Sequence, residues 1–381
     1  MNTSKPLLMI SAGEASSDMH AAHALRALKK QGVQFDCFGM GADKLEAVGM
    51  ELTLDCRELA VIGIVDVLVN YPKFLKRLKL LREIMRQRKP DLLIIVDYPD
   101  FNLKLAETAK ALGIPVLFYI SPQIWAWRKK RIKRIGKLVD HMAVLFPFEV
   151  DVYEQADIPV RYVGHPLVDD AHSPFDKTQA RNHLELNDSV LVSLQPGSRN
   201  GELSRNLPLM LQSAALLKDK HPSVEFVIPV APTLNRSQVE YFVKQTDVNV
   251  TLIDGQSYNV MRAADAVLTA SGTATLETAM LGTPMAVMYV VNAINYALMK
   301  RLIQIDDIGL VNIVAGSRIC EEFVQSDATP QAMADELERL LFNAEYRREM
   351  QHELREVREK MGTGGASDKV AKLIRDMLFD Y

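Results

Sequence analysis

Cysteine is scarce: three residues, at positions 37, 56 and 320, with no CxxC pair. That argues against a disulfide framework or a structural zinc site and fits a reducing compartment. No apolar run approaches the ~18 residues of a membrane span. The first run, Leu7–Ile10, gives way at once to Ser-Ala-Gly-Glu, so no signal peptide is expected either. A GxxxxGK[ST] loop is absent, which argues against a P-loop NTPase, and without GxGxxG dinucleotide binding is disfavoured. No Asp-x-Asp occurs, which counts against a metal-dependent sugar transferase. The net charge is only −3, so no global field draws the chain to nucleic acid, and anions must be met by local basic patches.

What is present is ordinary globular composition, 48% hydrophobic and 24% charged, which rules against disorder, collagen and coiled coil. A chain of 381 residues suggests two domains at roughly 150 residues each. Short apolar runs at Leu7–Ile10, Leu92–Val96, Val116–Ile120 and His141–Phe146 alternate with helical patterns such as Met19–Lys30 and Leu103–Leu112. The alternation resumes at Val190–Leu194, Val224–Val230, Ala266–Thr269 and Met285–Val290, with Leu207–Asp219 as a further helix. This predicts an α/β fold with parallel sheets covered on both faces. The series breaks at Gly164–Arg181, read as a linker. The expected domains are 1–168 and 169–345, followed by helices over 346–381 that pack on an N-terminal domain, their own or a partner's. Ligands of such folds bind beyond the carboxyl ends of the strands.

Several loops there carry candidate chemistry. Gln195-Pro196-Gly197-Ser198-Arg199 joins a strand to a helix; backbone N–H groups and a guanidinium can face a phosphate. Ser271-Gly272-Thr273 does the same after Ala266–Thr269, and Glu277, about a turn later, can accept ribose hydroxyls. Each alone is also an ordinary capped turn; the pair points to a diphosphate-linked nucleotide. In the first half, Gly13 permits close approach of a ligand and Glu14 points into the cleft, while Ser17 or Asp18 caps a helix from Met19. Asp97 ends a strongly apolar strand, where a carboxylate is costly unless used, and is the candidate general base. Asp100 competes but stands where an N-cap belongs.

Both tryptophans, Trp125 and Trp127, precede a run in which seven of the ten residues Arg128–Lys137 are basic. Ile62–Met85 mixes Leu68, Val69, Phe74 and Leu75 with lysines and arginines, which reads either as a core helix or as a membrane-docking or acyl-chain segment. His20, His23 and His165 assemble no metal site.

Taken in order, SAGEASSD (11–18), ELAVIGIVDVL (58–68), DYPDFN (97–102), SPQIWAWRKKRIKRI (121–135), PFE (147–149), VGHPLVD (163–169), PGSR (196–199), ASGTATLE (270–277) and Asn312 resemble the lipid-A-disaccharide synthase family over nearly the whole chain. Ser17 stands where that family usually has glycine. The resemblance implies a GT-B fold of two Rossmann-like domains and an inverting glycosyltransferase that needs no metal or other cofactor. It implies transfer of 2,3-diacylglucosamine from UDP-2,3-diacylglucosamine to the 6-hydroxyl of 2,3-diacylglucosamine 1-phosphate (lipid X), releasing UDP. It assigns Asp97 and Glu14 to catalysis, and Gly197, Ser198, Arg199, Ser271, Gly272, Thr273, Glu277 and Asn312 to UDP. To the acceptor or membrane it assigns Gly13, Ser16, Asp100, Trp125, Arg128, Leu68, Val69, Phe74 and Leu75. It implies a cytoplasmic protein bound peripherally to the inner face of the inner membrane, a homodimer with exchanged C-terminal segments, and no nucleic-acid partner. Another GT-B transferase with a lipid acceptor, a UDP-sugar epimerase of the same fold, and a non-catalytic membrane-associated binding protein stay open as alternatives, as does the choice between Asp97 and Glu14 as base.

Overall fold

A computed structural model describes residues 5–59, 64–122, 131–292 and 307–379, with side chains left aside at 59 and 64–70. By internal contacts the chain forms two compact units, Met1–Pro166 with Gly364–Tyr381, and Leu167–Thr363.

The first unit holds a seven-stranded sheet: β1 (Leu7–Ala12), β2 (Asp36–Gly41), β3 (Glu51–Asp55), β4 (Leu92–Val96), β5 (Val116–Tyr119), β6 (His141–Val144) and β7 (Val160–Tyr162). Their order is β3-β2-β1-β4-β5-β6-β7, parallel throughout. The central strands are buried on both faces, as their unbroken apolar runs require. Leu78, Leu81 and Met85 of the helix Ile64–Arg88 close one face with Phe38, Phe101 and Phe118.

In the second unit are β8 (Leu191–Gln195), β9 (Glu225–Val230), β10 (Val250–Asp254), β11 (Ala266–Ala270), β12 (Met285–Tyr289) and β13 (Glu322–Val324). They form a parallel sheet in the order β10-β9-β8-β11-β12-β13. Among the described residues, no helix is long and apolar enough to cross a membrane.

The strands not anticipated from sequence are β2, β3, β7, β10 and β13. Four of them are sheet edges, which need no continuous apolar run. The fifth, β2, is interrupted by Gly39 and Gly41.

Two boundaries differ from expectation. Gly164–Arg181 is not a long linker: the units divide after Pro166. The helix Lys177–His183 belongs to the second unit, opened by a capping box of Asp176 and Gln179. Its Arg181 is buried and pairs with Asp265 at 2.8 Å. Nor do the C-terminal helices travel together. Ala344–Lys360 packs on the second unit beside the helices Thr273–Leu281 and Pro330–Phe342. Only Ala366–Phe379 returns to the first unit, along the helix Ala15–Lys30, with Arg161 bridging Asp376 at 3.0 Å.

Candidate functional site

In the first sheet β1 and β4 are neighbours, and the chain leaves them in opposite directions, toward β2 and toward β5. Such a switch point opens a crevice at the strands' carboxyl ends. Ser11–Glu14 leaves β1 there and Asp97–Tyr98 leaves β4. Asp97 and Tyr98 both adopt left-handed backbone, φ +47° and +48°. Each costs on the order of 1 kcal/mol or more for residues other than glycine. Asn102, fully buried, holds this turn. Its Nδ2 donates to the carbonyls of Asp97 at 2.6 Å and Val96 at 3.2 Å, while Ser11 Oγ donates to its Oδ1 at 2.6 Å. Tyr98 then lies against Gly13, where a Cβ would stand 2.5 Å from the ring. Gly13 thus admits a side chain of the protein itself.

Burial pushes the Asp97 carboxyl up to about 6, against a hydrogen bond from the Tyr98 backbone, and the nearby Glu14 charge pushes the same way. A carboxylate of that basicity is ionised at neutral pH and suited to general-base work. Glu14 itself is exposed at the start of the helix Ala15–Lys30. If Asp97 is the base, kcat/KM should fall about tenfold per pH unit as the pH drops below about 6. A profile flat from pH 7 to 5 would remove Asp97 from the role.

The helix starts at Ala15, so neither Ser17 nor Asp18 caps it. Asp18 instead accepts from the backbone of Ala42 and Lys44 at 2.7 and 3.0 Å, capping the next helix, Asp43–Glu46. Ser17 sits in the first helical turn, where no positive φ is needed.

The second sheet repeats the device. Its switch point lies between β8 and β11, and a cavity of about 320 Å³ opens there. Gly197, Ser198 and Arg199 border it after β8, and Ser271, Gly272, Thr273 and Glu277 after β11. Pro232, Gly255 and Ser257, beyond β9 and β10, complete the wall; the weak pattern of β10 hid that contribution. Among the described residues no side chain caps the helix Thr273–Leu281, whose Thr275 N–H already donates to Gly272 O at 3.2 Å; the N–H groups of Thr273 and Ala274 can meet an anion. Burial raises the Glu277 carboxyl, and the Tyr258 hydroxyl donates to it. Ser271 Oγ donates to Ile308 O at 3.1 Å, so its hydroxyl has acceptor capacity left.

Other assignments fare differently. Asn312 does not border the cavity. It is fully buried, its Nδ2 donating to Cys320 O at 2.8 Å and Glu322 Oε1 at 2.7 Å, and its Oδ1 accepting from Ile319 and Cys320 N–H. Asn312 thus helps hold the Leu310–Ala315 helix to the strand Glu322–Val324. Asp100 is paired with Arg131, which ties the basic helix Ile132–Leu138 to the Asp97 loop's own helix. Ser16 is exposed.

Phe74 packs into the core's rim, edge-on to Phe101 at 5.1 Å and stacked on Tyr71 at 5.8 Å, whereas Leu75 is exposed. The helix Ile64–Arg88 is thus part core helix and part open surface. Trp125 and Arg128 lie outside the described residues, as do the side chains of Leu68 and Val69. Sequence reasoning overlooked Asn102, though the DYPDFN motif contains it. It also overlooked Tyr258 and Glu202, for which no local signal exists.

Comparison with known proteins fits this geometry. A putative UDP-N-acetylglucosamine 2-epimerase from Listeria monocytogenes superposes with a TM-score of 0.64 at 14% identity, covering 99% of this chain and 97% of that one. The glycotransferase of kitacinnamycin superposes at 0.63 with 16% identity, covering 98% of each chain. The class is therefore GT-B, the fold shared by glycosyltransferases and sugar epimerases. Within it, the family model described as Lipid-A-disaccharide synthetase matches residues 8–374. The lipid-A-disaccharide synthase of Geobacter metallireducens is 41% identical over 372 residues, covering 97% of each chain. The chain belongs to the lipid-A-disaccharide synthetase family and is a glycosyltransferase.

Proposed function

We propose that the chain joins UDP-2,3-diacylglucosamine to lipid X, giving the β-1′,6-linked tetraacyl disaccharide 1-phosphate and UDP. The observation that carries the donor assignment is the single cavity bordered by both the Gly197–Arg199 turn and the Gly272–Thr273 helix start, with Glu277 beside them. Two N–H-rich helix starts and one guanidinium suit a diphosphate, and a carboxylate suits a ribose diol. In this reading the Asp97 carboxylate takes the proton of the acceptor 6-hydroxyl. The oxygen attacks the anomeric carbon from the face opposite UDP. The anomeric C–O bond breaks and its electron pair leaves on the UDP phosphate, whose charge Arg199 and the backbone N–H groups stabilise.

Arg199→Ala should weaken UDP binding roughly five- to thirtyfold, the range of one charge-assisted contact on an exposed side chain. Calorimetry reads it; unchanged affinity would move the phosphate elsewhere.

Acyl chains and the membrane belong to the helix Ile64–Arg88. Tyr71, Leu75 and Leu80 are exposed large apolar residues on it, with Lys73, Lys76 and Lys79 exposed beside them. That mixture supports peripheral docking to anionic lipid. A homodimer with exchanged C-termini would re-form between chains the packing of Ala366–Phe379 on Ala15–Lys30 that exists within this one.

The deciding experiment incubates the purified protein with both acylated sugars in EDTA and analyses the products by mass spectrometry. A tetraacyl disaccharide phosphate is expected. An isomerised UDP-sugar without disaccharide would make the chain an epimerase, and no product at all would sink the reading.

A further inference from the structure

The PGSR turn already holds an anion of its own. Glu202, in the first turn of the helix Asn200–Lys220, folds its carboxylate back onto the turn. Its Oε2 accepts from the Ser198 backbone N–H at 3.0 Å and its Oε1 from Arg199 Nη1 at 3.0 Å. Those are the groups that the donor reading assigns to phosphate, and Glu202 borders the same cavity. The carboxylate also lies over Gly197, where a Cβ would stand 2.3 Å from Oε2. A carboxylate and a phosphate compete here, because the Ser198 N–H offers one proton and like charges at hydrogen-bond distance repel.

We propose that Glu202 is an internal rival of the donor's diphosphate, seated on the PGSR turn when UDP is absent and displaced by it on binding. The inference rests on the assignment of UDP to this cavity. Displacement is feasible on physical grounds. The Glu202 side chain is 30% exposed, so water can receive its charge. Arg205 stands three residues on along the helix, close enough for a rotated carboxylate to meet its guanidinium. A diphosphate engages the uncapped Thr273–Leu281 helix start at the same time as the turn, which a single carboxylate does not. Return of Glu202 to the turn then lowers the affinity for the UDP product and favours its release. Glu202 thereby sets how strongly the site holds a bare nucleotide, and it does so through the phosphate end alone.

The test is calorimetry of the full-length protein with UDP and with uridine, comparing wild type and Glu202→Gln. Glutamine keeps the length and an acceptor for the Ser198 N–H but carries no charge. UDP should bind the variant roughly five- to thirtyfold tighter, the scale of one lost ion pair plus a relieved charge repulsion. Uridine affinity should not change. In turnover, the KM for the donor should fall and inhibition by UDP should strengthen. Thermal unfolding confirms that the variant is folded, and Glu202→Ala provides a second variant with the same expected direction. Equal or weaker UDP binding in both folded variants, with wild type binding UDP, overturns the role of Glu202 and leaves the donor site standing. Failure of folded wild type to bind UDP overturns the donor site, and this inference with it.

Discussion

Asp97→Asn is expected to cut kcat by roughly 10²- to 10⁴-fold, the contribution of a positioned general base, while leaving UDP affinity within about twofold. The two effects separate because Asp97 sits in the first unit and the cavity proposed for UDP in the second. Asparagine is the informative replacement. It fills the same volume and is among the few residues that tolerate the left-handed backbone observed at Asp97. It also removes a buried charge.

The sign of the stability effect follows from the raised pKa. The folded-state value of about 6 lies above the unfolded value near 4, so the folded protein binds the proton more tightly. Ionisation of Asp97 therefore costs stability, a cost absent below about pH 4 and complete above about pH 6. The variant should unfold at a higher temperature than wild type at pH 7.5, and the difference should vanish near pH 4. An inactive but stabilised protein identifies Asp97 as a residue kept for chemistry. Near-normal turnover would return the role to Glu14.

The second large effect is expected at Asn102. Asn102→Leu should destabilise the protein by roughly 3–5 kcal/mol, since it leaves several buried polar groups unpaired. The Ser11 hydroxyl would lose its acceptor, and the carbonyls of Val96 and Asp97 a shared donor. Turnover should fall further than stability explains. Without the 2.6 Å bond to the Asp97 carbonyl, the left-handed turn at Asp97 and Tyr98 loses a buried side-chain anchor, and a shift of about 1 Å at the base costs roughly a hundredfold. Denaturant unfolding and kinetics at a temperature where the variant is fully folded separate the two losses. Retention of wild-type kcat by the folded variant would show that the left-handed turn stands without Asn102.

How much of this was legible beforehand differs between the sheets' centres and their margins. The central strands were readable because a strand buried on both faces must be apolar throughout, as Leu92–Val96 is. The edge strand Val250–Asp254 was not, because only part of it is covered. The two loops that border the cavity were readable from small residues and hydroxyls between a strand and a helix. Glu202 was not, because its carboxylate reads as an ordinary first-turn helix residue until the turn folds onto it. The bonds of Asn312 to the backbone at 319–320 and to Glu322 were likewise not readable, because they depend on how the chain folds back on itself.

The sequence by itself determined the alternating strand–loop–helix units, the small-residue loops at strand ends and the acidic residue closing β4. Each of these is a local pattern of apolar period, turn chemistry and side-chain type. Only the tertiary structure decided that β1 lies beside β4 and β8 beside β11. It alone decided that Asp97 and Tyr98 are held left-handed by Asn102, and that of the two last helices only Ala366–Phe379 returns to the first unit. The strand neighbours and the returning helix join residues some 70 to 360 positions apart. They are set by how whole elements pack and cross over, which no local window of residues encodes.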